Sequence, residues 1–211
     1  MLKAGIWLYT LNNKIKYLES DKELWERVLN SHAPSLDAIY FRYVDDLFDY
    51  GMKIVRNKAL IEDTIQDIFI ELWKKRESLE SIEYLKSYLL VALKRRLIRK
   101  IQRLKRSESI FNSNENDLNE FHLKLVVEPA VFKKHDAADR KHKIQTALNK
   151  LTPKQQEVIF LKYYQHLSYA EISVILEIET KAVYKLMARA LDALKGNISL
   201  TVLLSILFSI R

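Results

Sequence analysis

The sequence predicts an all-α protein built from two small helical domains. Its 211 residues are 48% apolar and 29% charged, which is enough apolar material for packed cores. Only 3 residues are Gly, whereas sandwiches, barrels and doubly wound sheets need many tight turns in which Gly supplies the positive φ. Apolar residues recur at helical spacing in two stretches that a polar segment separates. We therefore expect helical domains at 20–106 and 139–196, joined by a flexible linker at 107–138.

The two ends of the chain fall outside these domains. Residues 1–19 have one early Lys and a short apolar stretch without a small-residue cleavage site, so we interpret them as a helical N-terminal extension or a misplaced start. Residues 197–211 form an apolar tail that is shorter than the roughly 17–25 residues of a membrane-spanning helix. We expect this tail to be a short buried helix or to dock on the protein, with partner or membrane-surface binding as the alternative.

Three amphipathic helices are predicted in the first domain. Apolar residues at helical spacing mark one over 36–50, with Gly51 near its end or at a tight contact. The clearest helix covers 59–75, whose apolar residues form a single stripe. A loop over about 74–82 leads to a third helix with apolar positions along 85–101.

Charge is distributed unevenly between these helices. Residues 86–106 hold nine bases and no acid, and nucleic-acid phosphates are the commonest partner of such a positive stripe. A solvated helix face is the alternative. In the second helix, Asp63 and Asp67 are four residues apart, so both carboxylates point the same way with Gln66 beside them. That pattern fits either a solvated polar face or a protein interface turned away from DNA.

Capping signals delimit the helices of the second domain. After a short helix at 144–151, Thr152 is the predicted N-cap, with Pro153 at the first helical position and Gln156 completing a capping box.

The remaining signals of this domain predict a helix-turn-helix. Ser168 and Glu171 form a second capping box, a turn follows at 177–179, and Thr180 can cap the last helix. Two short helices around a tight turn, the second one exposed, are typical of a DNA-binding helix-turn-helix.

Several classes of chemistry are excluded. No cysteine is present, which rules out disulfides, thiolate metal sites and Cys nucleophiles and fits a cytoplasmic protein. There is no Walker loop, Gly-x-Gly-x-x-Gly or His-Glu-x-x-His motif, and a lone Asp139-x-x-His142 is the nearest approach to a di-iron repeat. We expect no catalytic residues, no metal, no cofactor and no small-molecule substrate.

Two segments of the chain resemble a known family. The segment EDTIQDIFIELW at 62–73 closely resembles the region 2 signature of the extracytoplasmic-function (ECF) sigma factors of bacterial RNA polymerase. The segments LTPKQQEVIFLKY at 151–163 and LSYAEI at 167–172 resemble their region 4. The resemblance covers about 20–106 and 140–195 in the family's order. The apolar tail and the many tyrosines resemble members from Bacteroidetes-type bacteria.

The resemblance implies a sigma factor that binds core polymerase, recognises a two-part promoter and assists strand opening, without catalysis of its own. The residues implied to dock on the clamp helices of the largest polymerase subunit are Asp63, Gln66, Asp67 and Glu71. Those implied to engage the minus-ten element, together with the loop after Trp73, are Lys86, Ser87, Tyr88, Arg95, Arg96 and Arg99. Those implied to contact the minus-thirty-five element are Thr180, Lys181, Tyr184, Lys185 and Arg189.

The family also implies partners and a location. Core polymerase and promoter DNA are the expected partners, an anti-sigma factor is typical, and the protein is expected in the cytoplasm, at the nucleoid through polymerase. The acidic linker would thread toward the RNA channel of polymerase. A helix-turn-helix regulator that acts without polymerase is the alternative, and a helical protein whose basic stripe binds RNA or anionic membrane is a third reading.

The chain departs from the family at four positions. The family commonly has Asn at the position of Arg95, Gly at that of Glu177, Ser or Thr at that of Glu179, and Arg at that of Leu186. Fewer cations in the last helix mean fewer phosphate contacts, so the resemblance implies that region 4 binds promoter DNA weakly or in a divergent register.

Overall fold

A computed structural model describes residues 19–108 and 145–195. For residues 105–108 it describes the backbone alone. All of the predicted N-terminal extension except residue 19, most of the linker and the apolar tail lie outside these ranges. All secondary structure within 19–108 and 145–195 is helical, which confirms the predicted fold class. None of the described helices is long and apolar enough to cross a bilayer. The chain divides into two compact units, Met1–Ser113 and Asn114–Arg211.

The described part of the first unit contains four α-helices. They are α1 (Asp21–Leu29), α2 (Ala33–Ile54), α3 (Lys58–Lys75) and α4 (Leu85–Glu108), with a 3₁₀ turn at Arg76–Ser78. Helix α1 packs on α2, and α2, α3 and α4 contact one another. The apolar stripes predicted over 59–75 and 85–101 form the buried faces of α3 and α4.

Helix α1 is not among the helices predicted from the sequence. It begins with a capping box, in which the Ser20 backbone N–H donates to the Glu23 carboxylate at 2.8 Å and the Glu23 N–H donates to Ser20 Oγ. The hydrogen bonds that the Ser20 backbone N–H and the Ser20 hydroxyl donate to the Glu23 carboxylate lower the pKa of Glu23. Trp25 is buried and its indole N–H donates to the backbone oxygen of Glu80 at 3.1 Å, so α1 also anchors the loop that precedes α4.

Gly51 lies at a tight contact, as predicted. It is buried near the end of α2, and a Cβ at this position would lie 2.8 Å from Cγ2 of Ile61. The absence of a side chain therefore sets how closely α2 and α3 approach.

The described part of the second unit contains a helical segment at 145–149 followed by three α-helices. These are α5 (Pro153–Ile159), which continues into a π-helical turn at Phe160–Tyr164, α6 (Tyr169–Leu176) and α7 (Thr180–Lys195). Both α5 and α6 pack against α7.

The capping box at the start of α5 differs by one residue from the predicted one. Thr152 is the N-cap, but its partner is Gln155, which occupies the third helical position; the prediction of Gln156 was wrong. Gln156 is instead buried, and its Nε2 donates to the backbone oxygens of Leu148 and Leu151, both at 3.1 Å. It satisfies carbonyls at the end of the preceding helical segment.

The turn between α6 and α7 has the geometry of a helix-turn-helix. The predicted capping box of Ser168 and Glu171 is confirmed at the start of α6. Helix α6 ends at Glu177, whose φ of 54° and ψ of 44° are left-handed. The N–H groups of Ala182 and Val183 in α7 donate to the backbone oxygen of Glu179, so Glu179 occupies the N-cap position. Thr180 is the first residue of the helix, and the prediction that it caps α7 was wrong.

Candidate functional site

The first candidate surface is the solvent-facing side of α3. Asp63, Gln66 and Asp67 are exposed, and Glu71 is partly exposed. We call these four residues the acidic surface. They lie opposite the buried stripe of α3 because the helix places residues three and four positions apart on one face. The carboxylates are therefore available to a partner that approaches from outside the unit.

A pocket of about 370 Å³ between α2 and α3 adjoins the acidic surface. Its walls combine apolar, aromatic and acidic side chains with Gln66: Tyr40, Val44, Asp45, Phe48, Glu62, Ile65 and Gln66. Sequence reasoning missed this pocket. Phe41 and Ile70 do not line the pocket, but both are apolar residues off the helical stripes and more than half exposed, and the Phe41 ring contacts that of Tyr40 in the pocket wall edge-on.

Ion pairs connect the acidic surface with the basic helix α4. Lys100 Nζ lies 2.7 Å from an Asp67 carboxylate oxygen, and Arg96 pairs with Glu71. Lys75 on α3 also bonds Glu71, at 2.6 Å. The hydrogen bond from Lys75, followed by that from Arg96, lowers the pKa of Glu71 to about 2. Residues of the acidic surface therefore form ion pairs with basic candidate residues of α4 where α3 and α4 pack together.

The predicted minus-ten residues are placed differently from one another. Arg95 and Arg99 are exposed on α4, whereas Lys86 is partly buried and forms an ion pair of 2.8 Å with Asp46. Ser87 is fully buried, so its side chain has no access to DNA in this structure, and we withdraw it as a contact residue.

Tyr88 and Arg96 lie together beside the loop that leads into α4. With residues of α3 and with Leu79 of that loop they line a pocket of about 130 Å³. At the start of the loop, the Arg76 guanidinium stacks over the Trp73 ring at 4.4 Å from its centroid, a contact that sequence reasoning did not identify. Aromatic rings and guanidinium groups therefore lie both at the start of the loop and in the small pocket beside it.

All five predicted minus-thirty-five residues are exposed on α7. They are Thr180, Lys181, Tyr184, Lys185 and Arg189. The opposite face of α7 is buried, through Val183, Met187, Ala190 and Leu194. The structure therefore brings the predicted residues to the free side of the second helix of a helix-turn-helix.

Among the residues that the structure describes, no group of three or more His, Asp or Glu side chains is arranged to hold a metal ion.

Comparison with known families identifies both units. Residues 39–107 match the model described as Sigma-70 region 2, and residues 141–194 match the model described as Sigma-70, region 4. The chain belongs to the sigma-70 family. All of the candidate residues above lie within these two matched ranges, the acidic surface and α4 in region 2 and α7 in region 4.

Curated relatives place this sigma factor in the ECF group. The chain is 25% identical over 184 residues to the ECF RNA polymerase sigma factor SigK of Mycobacterium bovis, covering 85% of this chain and 94% of the relative. It is 27% identical over 153 residues to SigK of Mycobacterium ulcerans, covering 70% and 76%. The predicted family and function are confirmed, and a regulator that acts without polymerase is not favoured. The resemblance to Bacteroidetes-type members stays a prediction.

Solved structures share the fold. The sigma factor RpoE of Bartonella quintana, in complex with the anti-sigma factor NepR, matches with a TM-score of 0.53 at 21% identity, over 78% of this chain and 96% of that one. CnrH, in complex with the cytosolic domain of CnrY, matches with a TM-score of 0.55 at 16% identity, over 84% and 96%. As a class, sigma factors are transcription initiation factors rather than enzymes.

Proposed function

We propose that this sigma factor contacts core polymerase through the acidic surface, the minus-ten element through α4 and the loop before it, and the minus-thirty-five element through α7. It acts by binding, performs no catalysis and needs no cofactor, and it works in the cytoplasm, at the nucleoid through polymerase. The observation that carries the proposal is the exposure of Asp63, Gln66 and Asp67 on the face of α3 opposite the core.

The acidic surface and its neighbouring pocket together suit a protein partner. Exposed carboxylates favour a cationic partner and speed its association. The pocket provides what charge alone lacks, a concavity with apolar and aromatic as well as acidic walls, in which a bulky side chain of the partner can be buried. Phe41, whose ring contacts that of Tyr40 in the pocket wall, adds an exposed apolar side chain. We assign this combined surface to the clamp helices of polymerase.

The proposed minus-ten site suits an opened DNA strand. A base can be read by a pocket only after it leaves the stack, and aromatic rings with nearby cations hold single strands. Tyr88 and Arg96 share the small pocket beside the loop, and Arg95 and Arg99 are exposed on α4 for backbone phosphates. Binding of the unstacked base would stabilise the opened promoter.

The second unit is assigned to the upstream element. In a helix-turn-helix the second helix enters the major groove and its exposed N-terminal half faces base edges. Helix α7 presents Thr180, Lys181, Tyr184 and Lys185 in that half. An anti-sigma factor is part of the proposal as a regulating partner, supported by the complex in which the Bartonella quintana relative was solved.

The polymerase interface is tested by reversing its charge. Asp63→Lys combined with Asp67→Lys should reduce co-purification with core polymerase at least tenfold, because two attractive carboxylates become repulsive. The fold should survive, since losing the partly exposed Asp67–Lys100 pair costs only about 0–1 kcal/mol and repulsion between two solvated lysines is of similar size. Circular dichroism and thermal melting check this.

A matched control changes net charge equally in the same unit. Glu80 and Glu83 are exposed in the loop before α4, so Glu80→Lys with Glu83→Lys should leave co-purification unchanged. If the Asp63/Asp67 variant binds polymerase as the control does, the acidic surface is not the interface.

A further inference from the structure

An aromatic pair stands on the exposed face of the helix-turn-helix. Tyr184 of α7 is 55% exposed, and its ring packs on that of Tyr169, with the ring centroids 4.2 Å apart and the planes 42° from parallel. Tyr169 is the first residue of α6. The pair therefore bridges the two helices of the motif on its outer side.

The Tyr169 ring is itself held from the π-helical turn. Lys162 Nζ lies 5.0 Å from the centroid of that ring and donates a hydrogen bond of 3.1 Å to the backbone oxygen of Leu167. Contacts of this kind restrict the Tyr169 ring, and through it the ring of Tyr184. A side chain that is already restrained loses little conformational entropy when it binds a ligand.

The neighbours of Tyr184 are suited to DNA. Lys181 and Lys185 are exposed beside it on α7, and their ammonium groups can neutralise phosphates. The Tyr184 ring differs from these charged groups because it is rigid and apolar. It lies at the position where a recognition helix meets base edges. The C5-methyl of thymine is the apolar group that the major groove presents, and an apolar side chain is its natural contact.

We propose that Tyr184 is a specificity-determining residue that selects thymine in the upstream promoter element through its C5-methyl, and that Tyr169 is the positioning residue that holds the ring for this contact. The inference rests on the proposed role of α7. In this proposal the ring of Tyr184 discriminates between bases, whereas the flanking lysines contribute the same affinity for every base sequence.

Replacing thymine by uracil removes only the methyl group and tests the contact directly. Holoenzyme assembled from the full chain and core polymerase is used to enrich an upstream element from a randomised duplex library, and each thymine of that element is then replaced by uracil. One replacement should weaken binding about fourfold, since a buried CH₂-sized group contributes about 0.8 kcal/mol and about 1.4 kcal/mol is tenfold.

Variants separate the ring from its surroundings. Tyr184→Phe should keep the preference for thymine over uracil, and Tyr184→Ala should bind both duplexes equally. Tyr169→Ala should reduce the preference although Tyr169 itself touches no base. As a control, Lys185→Ala should weaken binding to the thymine and uracil duplexes by the same factor, because a phosphate contact carries no base information. Thermal melting confirms that each variant is folded.

The outcomes distinguish this inference from the function on which it rests. The inference is overturned if uracil is tolerated at every position, if the enriched element contains no thymine, if the preference survives Tyr184→Ala, or if Tyr184→Phe abolishes it and so assigns recognition to the hydroxyl. Each of these leaves the role of α7 intact. If no upstream element is enriched and Lys185→Ala has no effect, the proposed role of α7 fails as well.

Discussion

The backbone at Glu177 is left-handed, as it is at His166 in the same unit, and this conformation is a local strain. A non-glycine residue in this conformation costs about 1–2 kcal/mol, because its Cβ approaches the following carbonyl oxygen. Glu177 adopts a φ of 54° at the end of α6, where helices most often place Gly. The sequence already marks the position, since the resembled family commonly has Gly there. The structure supplies the reason, which is that the turn requires a positive φ whatever residue occupies it.

Glu177→Gly should therefore stabilise the second unit by about 1 kcal/mol, after allowance for the greater freedom that Gly gives the unfolded chain. Urea or thermal unfolding measures the change. Glu177→Ala is the matched control, because it removes the carboxylate but retains a Cβ; it should give no stabilisation. Equal stabilities of the two variants would show that the backbone conformation is not the source of the effect.

At the level of elements, the long helices can be predicted from the periodicity of the sequence, whereas the short helix α1 cannot. The stripe of α3 is periodic over 18 residues, so its existence and buried face were predictable. Helix α1 has only 9 residues; its buried Leu24, Trp25 and Val28 fall at helical spacing but extend over little more than one turn, and the helix depends on tertiary contacts such as that of Trp25 with Glu80. Its Ser20 and Glu23 capping box was the available signal.

The candidate site shows the same division. Exposure of Asp63, Arg95 and Arg99 follows from helical phase, and the sequence predicts it. Ser87 could not be placed in this way, because a small polar residue fits either side of a helix; it shares a face with buried Leu90 three residues on. The pairing of Arg96 with Glu71 also escapes sequence reasoning, since it depends on how α3 and α4 pack.

Helix α4 carries a prediction of its own. Arg95→Ala with Arg99→Ala should strongly reduce run-off transcription from a cognate promoter. If both guanidinium groups contact phosphates, the slope of log affinity against log salt for holoenzyme on single-stranded minus-ten DNA should fall by about 1.4, at about 0.7 per contact. Arg56→Ala with Lys58→Ala removes two exposed cations elsewhere in the unit and should leave transcript and slope unchanged. Equal effects of the two double variants would place the DNA on another surface.

For the whole molecule, the two units have separate cores and separate family assignments, which predicts separate unfolding transitions. One variant in each unit tests this. Gly51→Ala gains about 1 kcal/mol of helix propensity in α2, but overpacking a filled core costs about 1–3 kcal/mol. Cγ2 of the fully buried Ile61 would lie 2.8 Å from the new Cβ and must shift within the packed core, so we expect a net loss.

Differential scanning calorimetry of the full chain should then show two transitions that respond to different variants. Gly51→Ala should lower the midpoint of one transition and leave the other in place, while Glu177→Gly should raise the midpoint of the second alone. Ile61→Ala added to Gly51→Ala should destabilise the first unit by less than the sum of the single effects, because the new methyl occupies part of the vacated space. A single transition that both variants shift would mean that the two cores unfold as one cooperative body.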